Sequence, residues 1–431
     1  MSYKPLLLVT APVQTRSGYG AHARDIVRSL IDIDKFDIKI FPVRWGNTSW
    51  DALDKNDPND KKILDLCLSQ PNLDRQPDIH IHIVVPNEFQ PIGKYNIGIT
   101  AGIETTACPV DWIQGLNRMD MNIVPSVHAK NIFNSVVFDS FDKDKNKVGE
   151  IKSEKPIEVL FEGADTDIFK KLKVSDESIK SELSNIKENF SFLFVGHWLQ
   201  GVDGQDRKDC YMMIKTFLTA FKDTKNPPAL VLKTSGALPS VLDREAIFKK
   251  IREIRHTVSF KKTLPNIYLL HGTLTDIQMN ELYNHHKIKS LISFTHGEGF
   301  GRPLLEFTMA EKPVIATGWS GHVDFLNKNL SILLPVEMTD VHKDSFPENI
   351  YVEGAQWATI NYTQAAKVLK DVRSNFKNYS FKGKKQGKIN KSQFSLNAMT
   401  KEFEKILTKH LPKFDEQPQQ MDLKLPKLKK G

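Results

Sequence analysis

The 431-residue chain carries 60 Lys and Arg against 52 Asp and Glu, a net charge of +8, with 40% hydrophobic and 26% charged residues. That length supports two domains with full cores, and the composition is that of a soluble globular protein. No apolar run approaches a membrane span, no signal-peptide pattern opens the sequence, and Cys67, Cys108 and Cys210 suggest neither a disulfide framework nor a zinc site. These features point to the cytosol.

Residues 6–10 predict a strand, Ser17-Gly18-Tyr19-Gly20 a turn, and residues 21–30 the helix behind it. Residues 36–41 form the next strand. Gly18 and Gly20 would let a phosphate approach the helix start, although the dinucleotide pattern Gly-x-Gly-x-x-Gly is incomplete. An ordinary tight turn explains them equally well. Residues 78–85, 96–100 and 122–126 read as further strands. Glu104, after the second of these and before a helix start at Pro109, suits a cleft; a surface charge is the plainer reading.

Two lysine-rich stretches, 143–155 and 382–391, read as loose segments, and Lys424, Lys427, Lys429 and Lys430 lie in the tail. The positive balance favours nucleotide diphosphates, anionic lipid surfaces or nucleic acid, while most surface lysines are only solvated faces. Asp165-x-Asp167 has the D-x-D metal spacing. The same spacing recurs at Asp32/Asp34 and Asp142/Asp144, so no metal site is assigned.

Residues 192–196 start a second set of elements. They form a strand ending in glycine, followed by a polar loop, Arg207-Lys208 and a helix over 210–221. Residues 229–234 and 267–270 are strands, and 276–285 a helix. An apolar strand at 290–294 then runs into Gly297-Glu298-Gly299-Phe300-Gly301, a helix start at Arg302-Pro303, and a strand at 313–317. Proline suits the first helical position, and the helix start directs free N–H groups and positive dipole toward the turn. A diphosphate fits there. Glu298 and Glu306 could each accept two hydroxyl hydrogen bonds, as a vicinal diol requires. A plain glycine turn with two solvated glutamates is the alternative. Helices at 362–376 and 395–410 close the chain, and 411–431 reads as a disordered basic tail.

Glu298-Gly299-Phe300-Gly301, Pro303, Glu306, Ala310 and Pro313-Val314-Ile315-Ala316 together resemble the E-x7-E signature of retaining glycosyltransferases of family 4. The resemblance implies an α/β GT-B fold, two Rossmann-like domains facing across a cleft. Residues 1–170, completed by the helix at 395–410, would bind the acceptor and 171–394 the nucleotide-sugar donor. It implies metal-independent, cofactor-free transfer of a sugar, with a hexose expected, to an acceptor hydroxyl. In that scheme Lys208 and His197 stabilise the leaving diphosphate. Glu298 orients the sugar, Glu306 holds the ribose hydroxyls, and Glu104 faces the acceptor. Arg207, Gly299, Phe300, Gly301 and the backbone at Leu274 border the donor, with Gly18 and Gly20 across the cleft.

The sequence departs from the family pattern at His197, where an arginine is expected. A protonated imidazole, Arg207 or a more distant lysine would have to supply that charge. A GT-B sugar-nucleotide epimerase or phosphorylase is the second reading. A non-catalytic basic protein binding nucleic acid or a surface is the third. The acceptor stays open among a glycan, a lipid-linked sugar and a modified nucleic acid. So does weak contact of the lysine-rich segments with an anionic membrane surface.

Overall fold

The structure, a computed structural model, describes residues 3–70, 72–173, 179–198, 201, 204–236, 239–346, 350 and 352–414. The first half runs β1 (Leu6–Ala11), α1 (Gly18–Ile33), β2 (Asp37–Pro42), α2 (Pro58–Asp65), β3 (Ile79–Ile83) and β4 (Tyr95–Ile99). It continues through α3 (Val110–Arg118), β5 (Met121–Val124), α4 (Val127–Ser135), β6 (Val137–Phe141), β7 (Lys147–Lys152) and β8 (Ile157–Val159). Its main sheet is parallel, in the order β2-β1-β3-β4-β5-β8. Parallel strands are covered on both faces and therefore read as unbroken apolar runs. In β1 every residue is buried.

The second half opens with α5 (Lys180–Ser184), β9 (Ser191–Val195), α6 (Cys210–Phe221), β10 (Ala229–Lys233), α7 (Val241–His256) and β11 (Ile267–Leu270). Next come α8 (Asp276–Asn284), β12 (Ile288–Ser293), α9 (Arg302–Met309), β13 (Val314–Thr317) and β14 (Ile332–Leu334). The hairpin β15 (Val336–Asp340) and β16 (Gln356–Ile360) precedes α10 (Tyr362–Ser374), α11 (Phe376–Gln393) and α12 (Leu396–His410). The second sheet is also parallel, in the order β11-β10-β9-β12-β13-β14. Its order reverses between β9 and β12. A crevice outside the carboxyl ends of those two strands is where such sheets bind ligands.

Two chain segments cross between the halves side by side. Ala164 N–H donates to Phe394 O at 2.9 Å, and Leu396 N–H to Ala164 O at 2.8 Å. Beyond this crossing α12 packs on α1, with Ser29 and Thr400 hydroxyls 2.8 Å apart and Lys35 bonded to Glu404. Leu411 and Phe414, assigned to a disordered tail by composition, pack partly against the first core. The rest of that tail, 415–431, lies outside the described residues.

The lysine-rich stretches are not loose. The first forms the antiparallel hairpin of β6 and β7, and the second is the body of α11. Apolar periodicity could not reveal α11, because its buried face is Gly383, Gln386, Gly387 and Asn390. A Cβ at Gly387 would stand 2.4 Å from Thr308 O, and one at Gly383 2.6 Å from the Lys312 carbonyl carbon. The helix thus lies directly on the backbone at the end of α9. Gln386 completes the seam by donating to Phe325 O and accepting from Asn327 N–H. Among the described residues no helix is long and apolar enough to cross a membrane.

Candidate functional site

The turn between β12 and α9 delivers Glu298 to the crevice. Its own N–H donates to Ser320 Oγ at 2.9 Å, and its carbonyl accepts from Gly321 N–H at 2.9 Å. Gly301 ends the turn at φ 96°, which a residue with a Cβ rarely adopts. The other two glycines meet the facing half of the molecule. A Cβ at Gly297 would lie 2.0 Å from Glu104 O, and one at Gly299 1.9 Å from Ala101 O. Close approach is therefore needed here for contact between the halves, whatever else it serves. Ser126 Oγ–H adds a 2.6 Å bond to Gly299 O across the same boundary. Phe300, expected at the donor, is instead a core residue 2% exposed, its ring 5.0 Å from that of Phe325.

Four of the charged residues expected at the site converge. Lys208 Nζ donates to Glu298 Oε1 at 2.5 Å, and Arg207 reaches the other oxygen at 3.3 Å. Arg207 also donates to Gly297 O at 3.0 Å and pairs with Glu104 at 3.5 Å. Burial alone would raise the Glu298 pKa, but Lys208 and Arg207 outweigh it and hold the carboxyl at about 2. Burial also pulls the Lys208 ammonium below its usual value, with Glu298 opposing the shift. The carboxylate's depression governs, because two cations face one anion. Arg207 is raised: burial works against it, and Glu104 and Glu298 prevail. Arg207 is thus committed to two carboxylates and is not a spare cation.

His197, one residue beyond the glycine that follows β9, keeps an exposed edge at the crevice. Its Nδ1 lies 3.0 Å from Gly236 O, and a carbonyl only accepts, so Nδ1 carries the hydrogen. The wall of protein on its other side lowers the ring's pKa, and Lys208 and Lys233 add to the effect. This opposes the protonated imidazole expected from the sequence. A neutral ring presenting Nε2 to the crevice fits better.

Glu306 sits in a second cluster, which joins the two halves. Arg302 Nε donates to Glu306 Oε1 at 2.8 Å, while its Nη1 bonds Asp25 of α1 and lies 3.9 Å from Glu162. Tyr283 OH stands 3.4 Å from the other Glu306 oxygen. Sequence reasoning missed Arg302 and Asp25, noting Arg302 only as a helix start; their partners are distant in sequence and no local pattern marks them. One guanidinium shared among three buried carboxyls cannot neutralise all of them. It is itself raised strongly: burial opposes this, but Asp25, Glu306 and Glu162 outweigh it. Burial pushes Glu162 and Glu306 the other way, each up to about 7 despite Arg302.

That direction fixes a pH dependence. A carboxyl raised from 4.5 to about 7 on folding stabilises the fold fully below the lower value. The contribution, roughly 3 kcal/mol at most per carboxyl, is lost as pH rises through about 7. The melting temperature of the ligand-free protein should therefore decline between about pH 5 and 7, and Glu162→Gln should flatten that decline. An equally steep profile in the variant contradicts the assignment.

The remaining expected residues lie around this centre. Gly18 is exposed, with open space where a Cβ would go, whereas Gly20 packs on Thr15 O, 2.2 Å from a built Cβ. Ser17 Oγ already caps α1 by accepting from Gly20 N–H. The loop reaches the site through Tyr19, whose hydroxyl accepts from Ala101 N–H at 3.1 Å, beside Gly299. Leu274 follows β11 and is half-buried, packing partly against the second core. Sequence reasoning also missed the hairpin of β15 and β16. It bridges to the first half through Thr106 N–H to Gln356 O at 2.9 Å, and its Trp357 stacks on His296 at 4.2 Å.

No protein-family model matches the chain, and no curated protein matches it in sequence. Solved structures match throughout. HepE (Alr3699) of Anabaena in complex with UDP-glucose superposes at TM-score 0.60 and 12% identity, covering 94% of this chain and 100% of that one. A glycosyltransferase from Rickettsia africae gives 0.60 at 16% identity, covering 95% and 99%. Sucrose-phosphate synthase from Thermosynechococcus elongatus gives 0.60 at 11%, covering 94% and 99%. The fold is GT-B, as these structures share it, with the last helix returned to the first half.

Proposed function

We propose that this chain is a retaining glycosyltransferase, moving a sugar from a nucleotide diphosphate to an acceptor hydroxyl. The observation that carries the reading is the placement of Glu298 at the β9–β12 crevice with Lys208 and Arg207 on its two oxygens. Lys208 is positioned to follow charge onto a leaving diphosphate, and neutral His197 to contribute one hydrogen-bonding nitrogen beside it. Glu298 orients the donor sugar from the turn, and Glu104 lines the acceptor side behind Arg207. Transfer with retention needs no protein nucleophile when the leaving phosphate accepts the incoming hydroxyl's proton on the same face. UDP-glucose is the first donor to try, because the HepE structure of the same fold holds it.

Glu306 is assigned to the ribose hydroxyls, for which it must share its carboxylate with Arg302. Glu306→Ala should weaken donor binding by roughly 1–3 kcal/mol, the scale of charge-assisted hydrogen bonds, while the fold survives. Calorimetric titration of UDP-glucose, GDP-mannose and ADP-glucose into both proteins tests this. Tight binding of one donor to the wild type, unchanged in the variant, removes the ribose role. Binding of none contradicts the reading itself.

A further inference from the structure

The replacement of the expected arginine by a neutral His197 leaves the diphosphate with Lys208 as its one assigned cation. A cation is available one strand away. Lys233 is the last residue of β10 and pairs in register with Val195 of β9. Its carbonyl accepts from Gly196 N–H at 3.2 Å, so its Cα stands beside the segment that carries His197. The charge of Lys233 acts on the His197 ring together with that of Lys208, and Lys208 itself passes 3.6 Å from where a Gly196 Cβ would be. The Lys208 side chain and the Lys233 backbone therefore flank Gly196 at the carboxyl end of the sheet, and the Lys233 ammonium reaches from there toward Gly272.

What Lys233 touches is as informative. Its ammonium donates to the backbone carbonyl of Gly272 at 2.5 Å, just past β11, and among the described residues no carboxylate pairs with it. Asp243, the nearby acid, is taken up by Gly236 N–H at 3.0 Å and by His271 at 2.7 Å. A half-buried ammonium without an anion is costly unless an anion arrives. Burial has drawn its pKa down to about 8, and a phosphate alongside would raise it again.

We propose that Lys233 is a phosphate-binding residue, the second fixed cation on the donor diphosphate and the functional replacement for the arginine that His197 displaces. The assignment rests on the transferase reading. It places the diphosphate between Lys233 and Lys208, with Lys233 exchanging its Gly272 carbonyl partner for a phosphate oxygen.

The test compares a nucleoside diphosphate with its nucleoside. UDP, GDP and ADP are titrated into the wild-type protein, and the tightest is carried forward with the matching nucleoside. Lys233→Met should weaken the diphosphate about 10- to 100-fold, the range of one charge-assisted bond, and change nucleoside binding less than about twofold. Lys233→Arg should keep diphosphate affinity within about threefold. The methionine variant should melt no lower than wild type, since it removes an unpaired buried charge. Unchanged diphosphate binding in Lys233→Met overturns the assignment and leaves the transferase reading standing. Equal losses for diphosphate and nucleoside overturn it too, by putting the side chain on the base. Failure of the wild type to bind any of the three diphosphates overturns the transferase reading and the assignment with it.

Discussion

Lys208→Ala should lower the rate of the proposed sugar transfer about 100-fold or more, with little change in donor affinity. The ammonium is 14% exposed and already committed to Glu298 at 2.5 Å in the donor-free protein. Ground-state binding therefore gains little from it, because a new phosphate contact is made partly at the expense of the old one. Charge that develops on the departing diphosphate strengthens the phosphate contact, and only interactions that strengthen in the transition state raise turnover. Loss of one preorganised charge donor is worth about 100- to 1,000-fold in systems of this kind. Arg207 cannot stand in, since Glu104 and Glu298 hold it. Steady-state kinetics separate the two contributions. A change confined to KM would make Lys208 a binding residue only.

Arg302→Met should destabilise the protein by about 3–5 kcal/mol at neutral pH, the cost of stranding buried carboxylates whose partner is removed. Asp25 is 1% exposed, and Glu162 and Glu306 are scarcely more open. Asp25 retains Arg28 at 3.5 Å, so the loss falls mainly on the two glutamates. Those are the carboxyls that burial holds at about 7, so the deficit shrinks on acidification as they take up protons. Adding Glu162→Gln to Arg302→Met should recover part of the loss at neutral pH, because the residues share one cluster and their effects do not add. Urea unfolding at pH 5.5 and 8 reads all of this. A loss under about 1 kcal/mol, or one independent of pH, contradicts the shared-guanidinium account. Because Arg302 joins α1 to α9, the ribose role proposed for Glu306 would link donor binding to contact between the halves.

The strand, glycine turn, helix and strand around Glu298 were legible because each local signal agreed: an apolar run, glycines, proline at the helix start and a second apolar run. Arg207 and Lys208 were legible through their place before α6. The purpose of Gly297 and Gly299 was not, because the backbone they press against lies nearly 200 residues away in sequence. Helix α11 escaped notice because small and polar residues, not apolar ones, form its buried face. His197 was recognised as a departure from pattern, but its surroundings were not: burial, Lys208 and Lys233 lower its pKa and Gly236 O bonds its Nδ1, and sheet pairing rather than local sequence brings Lys233 and Gly236 beside it. Arg302 looked like a helix start and is also the cation that Asp25, Glu162 and Glu306 share.

Release of nucleoside diphosphate from sugar nucleotides, without added acceptor, tests the central claim most directly. Water then takes the acceptor's place, and a retaining transferase hydrolyses its donor slowly. The 431-residue protein, incubated with UDP-glucose and a panel of other sugar nucleotides, should release nucleoside diphosphate and free sugar from one of them. Lys208→Ala and Glu298→Gln should each reduce that release about 100-fold or more. No release from any donor, or release undiminished in both variants, would contradict the account.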